Sequence, residues 1–254
     1  MADAGAPIDG APAVALPPLA EPYRAALAEA VVWIRERFDP IGIVATGTIV
    51  RGNPSPSSDL DLWVLHRPPW RQRLQRFFGG VPAEVFVNPP ERIEGYFASE
   101  REEGRPITAH MVATGALVLA ADPVVERLRA RARELLAAGP CPSPVKLTAL
   151  RYGAATAFED AMDVAGSDPE TCRFFLNRAV DGASRYAFWA ANRWQPRDKE
   201  LLRELALLDP PLAAAVGRFR RAGALSGQIA AARDAVERGV GATGFFEWQS
   251  EPDS

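Results

Sequence analysis

The chain has 254 residues, 48% of them hydrophobic and 24% charged, with a formal net charge of -3. That balance supports a sizeable core and two modest domains or one large one. It carries no basic footprint, which argues against a duplex or membrane-surface binder and makes a polynucleotide a less expected substrate without excluding one. Cys141 and Cys172 are the only cysteines and no CxxC occurs, so neither a disulfide framework nor a zinc knuckle is indicated. The N-terminus lacks the basic n-region and continuous apolar core of a signal peptide, and no run of about 18 apolar residues marks a membrane span. The expected setting is the cytoplasm.

Residues 1–20 are rich in Ala and Pro and are expected to be a disordered segment. From Glu21 to Phe38, Ala26, Val31, Ile34 and Phe38 recur among charges at roughly helical spacing, a helix stopped by Pro40. IGIVAT (41–46) reads as a buried strand, a Gly/Pro/Ser-rich loop follows, and LDLWVLH (60–66) reads as a second strand. WRQRLQRFF (70–78) reads as a helix broken by Gly79-Gly80, and PAEVFVN (82–88) as a third strand. Residues 89–106 carry no clear pattern. ITAHMVATGALVLAAD (107–122) reads as a short helix turning at Gly115 into a final strand. Asp122-Pro123 then supplies a cap and an N1 proline for a helix running to Ala138.

GPCPSP (139–144) is the best boundary in the chain. Beyond it helices are expected at 145–165, 169–193, 198–208, 211–222 and 226–239, with no strand and no internal repeat. The expectation is therefore an α+β chain. A small mixed β-sheet domain with flanking helices occupies 21–140, an all-α helical bundle 145–240, and a tail 241–254. Phe245, Phe246 and Trp248 of that tail are candidates to dock.

The chemistry concentrates in GTIVRGNPSPSSDLD (47–61). On a strand, Asp59 and Asp61 project to one face with Cα atoms about 6–7 Å apart, and they repel unless a cation neutralises them. Mg²⁺ suits the task, being a hard ion held by one or two carboxylates plus substrate phosphates. Glu84, flanked by apolar positions in AEVFV, completes a three-carboxylate cluster if its strand neighbours theirs. Such a cluster can bind metal and deprotonate an attacking hydroxyl. Gly47 allows close backbone approach, Thr48 offers a hydroxyl and an amide, and Gly52 permits positive φ; ahead of a helix these form a phosphate cradle. Taken alone, S-D-x-D is as often a turn and a cap. The ordered set of strand, Gly-Thr, Arg-Gly, Ser-Asp-x-Asp, strand and Glu-bearing strand is far harder to read that way.

The pattern strand-GT-x2-RG-x5-SDLDLWVL followed by EVFV resembles the DNA-polymerase-β-like nucleotidyltransferase superfamily, which includes small antibiotic-modifying enzymes with a C-terminal helical domain. The resemblance is specific over 41–88 and weaker over the helical half. It implies that Gly47, Thr48, Arg51 and Ser58 contact the nucleoside triphosphate, and that Asp59, Asp61 and Glu84 hold Mg²⁺, as two ions. In the similar streptomycin/spectinomycin adenylyltransferases the glutamate of the E-V strand is the general base. The superfamily usually carries Gly-Ser where this chain has Gly47-Thr48; the hydroxyl is kept. The implied reaction is transfer of a nucleoside monophosphate, AMP from ATP, to a hydroxyl of a small molecule such as an aminoglycoside-like antibiotic. The rival is a nucleotidyltransferase-type antitoxin that modifies a partner protein.

In the helical half, FWAANRWQPRDKELLREL (188–205) resembles the late helix pair of aminoglycoside-type enzymes, where a lysine faces the phosphates. Lys199, one of only two lysines, is the candidate. A solvated residue in a first helical turn is the plain alternative. Glu159 and Asp163 stand i,i+4 beside Asp160, where like charges cost a few tenths of a kcal/mol and a cationic acceptor would offset the repulsion. A solvated, charge-bearing face is the simpler account of them. Asp181 is a weaker candidate of the same kind. Trp189 and Trp194 can stack a base or sugar but fit a core; His66 and His110 fit structural roles, and Arg173, Arg178 and Arg185 a solvated helix face.

Overall fold

The computed structural model describes residues 13–249. The chain divides into two compact units: the chain through Glu100 with Pro106–Ala138, and Arg101–Arg105 with the chain from Gly139 on. The disorder expected over 1–20 lies in part outside the described residues. Within them, residues 13–20 carry no helix or strand, and the Ala15 N–H donates to Val118 O at 2.9 Å.

The first unit runs α1 (Tyr23–Phe38), β1 (Pro40–Thr46), α2 (Gly47–Val50), β2 (Leu60–His66), β3 (Gln72–Phe78), β4 (Val81–Asn88), α3 (Ile93–Glu103), α4 (Ile107–Thr114), β5 (Ala116–Ala120) and α5 (Val124–Ala138). The last residues of α3 count with the second unit. Five strands form a mixed sheet in the order β3-β4-β2-β1-β5, with β2 and β4 parallel and the other neighbours antiparallel. β1 is buried from end to end, as its unbroken apolar run requires of a strand covered on both faces. The stripe Ala26, Leu27, Ala30, Val31, Ile34 and Phe38 of α1 forms one core with Ile43, Leu60, Leu62, Val64, Val85 and Val87 of the sheet. Strand alternation then sends Asp61, Trp63, Glu84 and Phe86 to the opposite face.

One local reading is corrected. Residues 72–78 form a strand, β3, where a helix is expected. Phe78 pairs with Val81, so Gly79 and Gly80, with φ of 51° and 81°, close a two-residue hairpin instead of breaking a helix. Both central residues of that turn type need positive φ, which glycine adopts without strain. Leu74 and Phe78 then face the α1 core with period two, and the intervening Arg and Gln residues blunt an exposed edge. The helix stop expected at Pro40 stands. α1 ends at Phe38 with Asp39 in the left-handed region (φ 43°), and Pro40 opens β1. Residues 89–106, without a pattern in the sequence, contain the whole of α3; its buried Glu100 accepts from the N–H groups of Thr108 and Ala109 at 2.6 and 3.1 Å, capping α4.

The second unit holds α6 (Pro144–Val164), α7 (Pro169–Ala190), α8 (Leu201–Leu208), α9 (Pro210–Arg221) and α10 (Leu225–Val240). Ser143, Asp168 and Asp209 each accept from backbone N–H groups ahead of a proline-led first turn. Small residues set the packing. A Cβ at Gly239 would lie 2.9 Å from both Cβ and O of Ala183, and one at Gly182 would lie 3.1 Å from Ala154 Cβ. Of the tail aromatics, Phe246 sits under the Arg151 guanidinium at 4.3 Å and Trp248 lies 6.0 Å from Tyr152, whereas Phe245 is exposed. Residues 250–254 of the expected tail lie outside the described residues.

Candidate metal and phosphate site

One cross-sheet row builds the site. Thr46 stands opposite Asp61, Asp61 opposite Glu84, and Glu84 opposite Gln75, so these side chains share a face. Asp59, two residues before Asp61, joins them at the entry to β2. One carboxylate oxygen from each of Asp59, Asp61 and Glu84 lies within 4.8 Å of the others, with the two aspartates half-buried and Glu84 buried. Among the described residues no other trio of His, Cys, Asp or Glu converges in this way. An all-oxygen, all-anionic donor set of this size fits a hard divalent cation.

The loop closes over that cluster. Gly47 has φ of 92°, and a Cβ there would fall 2.5 Å from Asp61 Oδ2. Any side chain at 47 would therefore be strained and would occupy the space beside the carboxylate. Thr48 Oγ1 and Ser58 Oγ are 2.8 Å apart, and Ser58 Oγ also accepts from the Ser55 N–H at 2.8 Å. The Arg51 N–H returns to Gly47 O at 3.2 Å and the Asn53 N–H to Thr48 O at 3.0 Å, folding 47–53 into a single compact turn with Gly52 at φ 78°. The sequence-predicted Gly47, Thr48, Ser58, Asp59, Asp61 and Glu84 are thus brought together; Arg51 is exposed at the rim of the same turn.

Arg73 is the residue the sequence did not reveal. Its Nε donates to Glu84 Oε1 at 2.5 Å, and Gln75 Nε2 donates to the same oxygen at 3.3 Å. The Glu84 hydrogen bond, with the charges of Glu84 and Asp61, holds the Arg73 guanidinium above its ordinary pKa against the opposing effect of desolvation. The signal that could have found it is the period-two Leu74, Arg76, Phe78 alternation, which puts Arg73 and Gln75 on the carboxylate face once 72–78 is read as a strand.

The other candidates belong to the second unit or to ordinary packing. Lys199 is exposed in the turn ahead of α8, and Glu159 and Asp163 are exposed on α6. Asp181 pairs with Arg185 at 2.8 Å, and Arg185 reaches Asp198 at 3.1 Å. Arg173 pairs with Glu170, and Arg178 lies over Phe174 and Phe175. Trp189 is buried with Lys146 Nζ 4.9 Å from its ring centroid, and Trp194 is half-buried. His66 is buried with Nε2 2.8 Å from Trp70 O, and exposed His110 lies 3.3 Å from Thr114 Oγ1.

No family model and no curated protein sequence matches the chain. The fold does match a solved structure, that of a nucleotidyltransferase-like protein from Exiguobacterium sibiricum 255-15. The TM-score is 0.54 at 11% sequence identity, over 86% of this chain and 74% of that one. The α+β architecture, a five-stranded mixed sheet with flanking helices and a helical C-terminal region, is consistent with a nucleotidyltransferase fold. Among the described residues no helix is long and apolar enough to cross a membrane.

Proposed function

We propose that the chain is a divalent-metal-dependent nucleotidyltransferase that moves a nucleoside monophosphate, AMP from ATP, to a hydroxyl of a small cytoplasmic acceptor. The single observation carrying this reading is the convergence of Asp59, Asp61 and Glu84 within 4.8 Å beside a glycine where any side chain would be strained and crowd Asp61. Asp59, Asp61 and Glu84 are the residues that would hold Mg²⁺, as two ions. When bound, the metal supplies the positive charge that offsets the triphosphate and the charge developing in the transition state.

The chain's own groups do the rest in this reading. Gly47 leaves the backbone open to close phosphate approach, while the Thr48 and Ser58 hydroxyls and Arg51 donate to phosphate oxygens. Glu84 takes the proton from the acceptor hydroxyl, so that the acceptor oxygen attacks the α-phosphorus and pyrophosphate leaves. The fold shared with a nucleotidyltransferase-like protein supports the reaction class.

The test is incubation of the chain with α-labelled ATP, Mg²⁺ and a panel of aminoglycosides, alongside Asp61→Asn. Label should move to an acceptor, and Asp61→Asn should reduce transfer on the order of 100-fold or more while the far-ultraviolet circular dichroism is unchanged. Failure of the chain to bind ATP, or full transfer by Asp61→Asn, overturns the reading.

A further inference from the structure

We propose that Arg73 is a positioning residue for Glu84: with Gln75 it holds one carboxylate oxygen and thereby sets how the group faces Asp59 and Asp61. The inference rests on the proposed function, because a fixed Glu84 matters only if the cluster holds metal.

Three observations carry it. The two donors converge on one oxygen, Oε1, at 2.5 Å from Arg73 Nε and 3.3 Å from Gln75 Nε2, and neither bond engages Oε2. A glutamate has enough rotatable bonds to leave a cluster, and two bonds to the same atom remove most of that freedom. The second observation is the register. Gln75 stands opposite Glu84 and Arg73 opposite Phe86, so Arg73 reaches Glu84 along the diagonal between strands, a contact that long side chains make. The third is the support under the guanidinium: Arg73 Cζ lies 5.1 Å from the Phe86 ring centroid, so stacking holds the fork from behind.

A plain surface ion pair is the rival account. Half of it holds, because the Arg73 side chain is 59% exposed, and exposed pairs contribute little stability. The Glu84 side chain, however, is only 11% exposed. Its carboxylate therefore depends on the donors that meet it. Arg76 provides an internal control. It carries the same charge on the same strand, but its guanidinium lies over Trp33 and Phe78, away from the carboxylates.

The experiment is Mn²⁺ titration of the full chain, followed by electron paramagnetic resonance, for wild type, Arg73→Ala, Arg73→Gln, Arg73→Lys, Arg76→Ala and Asp61→Asn. Loss of an outer-shell partner of a ligand weakens metal affinity about 10–100-fold, so Arg73→Ala and Arg73→Gln should weaken Mn²⁺ binding by about tenfold or more. Arg73→Lys should recover part of the loss, since it restores a donor without the stacked planar fork. Arg76→Ala should match wild type, and melting curves should confirm that all variants fold. The sign separates the accounts. If Arg73 only competes electrostatically with the ion, Arg73→Ala tightens Mn²⁺, and that result, like an unchanged affinity, overturns the inference. A wild-type chain that binds no Mn²⁺, or binds it as well after Asp61→Asn, overturns the proposed metal site itself, and the role of Arg73 with it.

Discussion

The two units handle negative charge in opposite ways. On α6, Glu159, Asp160 and Asp163 lie along a largely solvated helix surface, and their spacing follows from 3.6 residues per turn. Like charges so arranged cost a few tenths of a kcal/mol and need no ligand to explain them. In the sheet unit, three carboxylates come from the entry of β2, its second residue and the middle of β4, and meet within 4.8 Å on a partly buried face. Nothing in helical or strand periodicity alone imposes that convergence. It exists because β2 and β4 are parallel neighbours in one register, and that register is fixed by Leu60, Leu62, Val85 and Val87 packing under α1. A slip by one residue would turn Glu84 toward that apolar core. Acidic residues adjacent in sequence therefore say little, whereas acidic residues gathered from separate strands at the cost of mutual repulsion mark a site.

The comparison can be broken most directly at Gly47. Gly47→Ala places a Cβ at positive φ and 2.5 Å from Asp61 Oδ2. It should lower stability by about 1–3 kcal/mol in chemical denaturation, and weaken Mn²⁺ binding by about tenfold or more, as crowding displaces the carboxylate. An alanine variant that binds Mn²⁺ like wild type would mean the carboxylate pocket is not as tightly built as described.

A smaller effect should come from the helical unit and leave the site alone. Gly239→Ala gains about 1 kcal/mol in intrinsic helix preference but presses on the Ala183 backbone and Cβ, and overpacking of this kind costs about 1–3 kcal/mol. A net destabilisation with unchanged Mn²⁺ affinity is expected, read from a urea melt and the same titration. A stabilised variant would show that α7 and α10 can part without cost.

The mildest effect concerns acid stability. The Thr171 hydroxyl, donating at 2.6 Å, and then the Thr171 and Glu170 N–H groups hold the Asp168 carboxyl below its ordinary pKa, against desolvation. A depressed carboxylate contributes stability that is complete above the ordinary value of about 3.9 and is lost as pH falls through the folded-state value. Asp168→Ala should lower the melting temperature by a few degrees or less at neutral pH. The difference from wild type should shrink as pH falls below about 4. A difference that stays constant down to acid pH would assign the cap to the backbone and not to the carboxylate.

Much of the fold was legible because its signals are local. β1, β2 and β4 announce themselves as short apolar runs, and the helical unit through its proline-led caps. WRQRLQRFF was not legible, since charged residues at positions 71, 73 and 76 fit a helix or an exposed edge strand equally well. Only the hairpin pairing of Phe78 with Val81 decides between them. Arg73 was hidden for the same reason, because its contact with Glu84 exists only across that hairpin.

By itself the sequence determined the elements' chemistry: an apolar strand, a Gly-Thr turn, paired aspartates and a glutamate flanked by valine and alanine, each set by short-range periodicity. Tertiary structure alone decided that Glu84 stands beside Asp61, that Gly47 leaves room for the Asp61 carboxylate, and that Arg73 holds Glu84. The physical reason is register. Pairing between strands is a long-range choice made by the buried apolar face, and the polar face inherits its geometry from that choice.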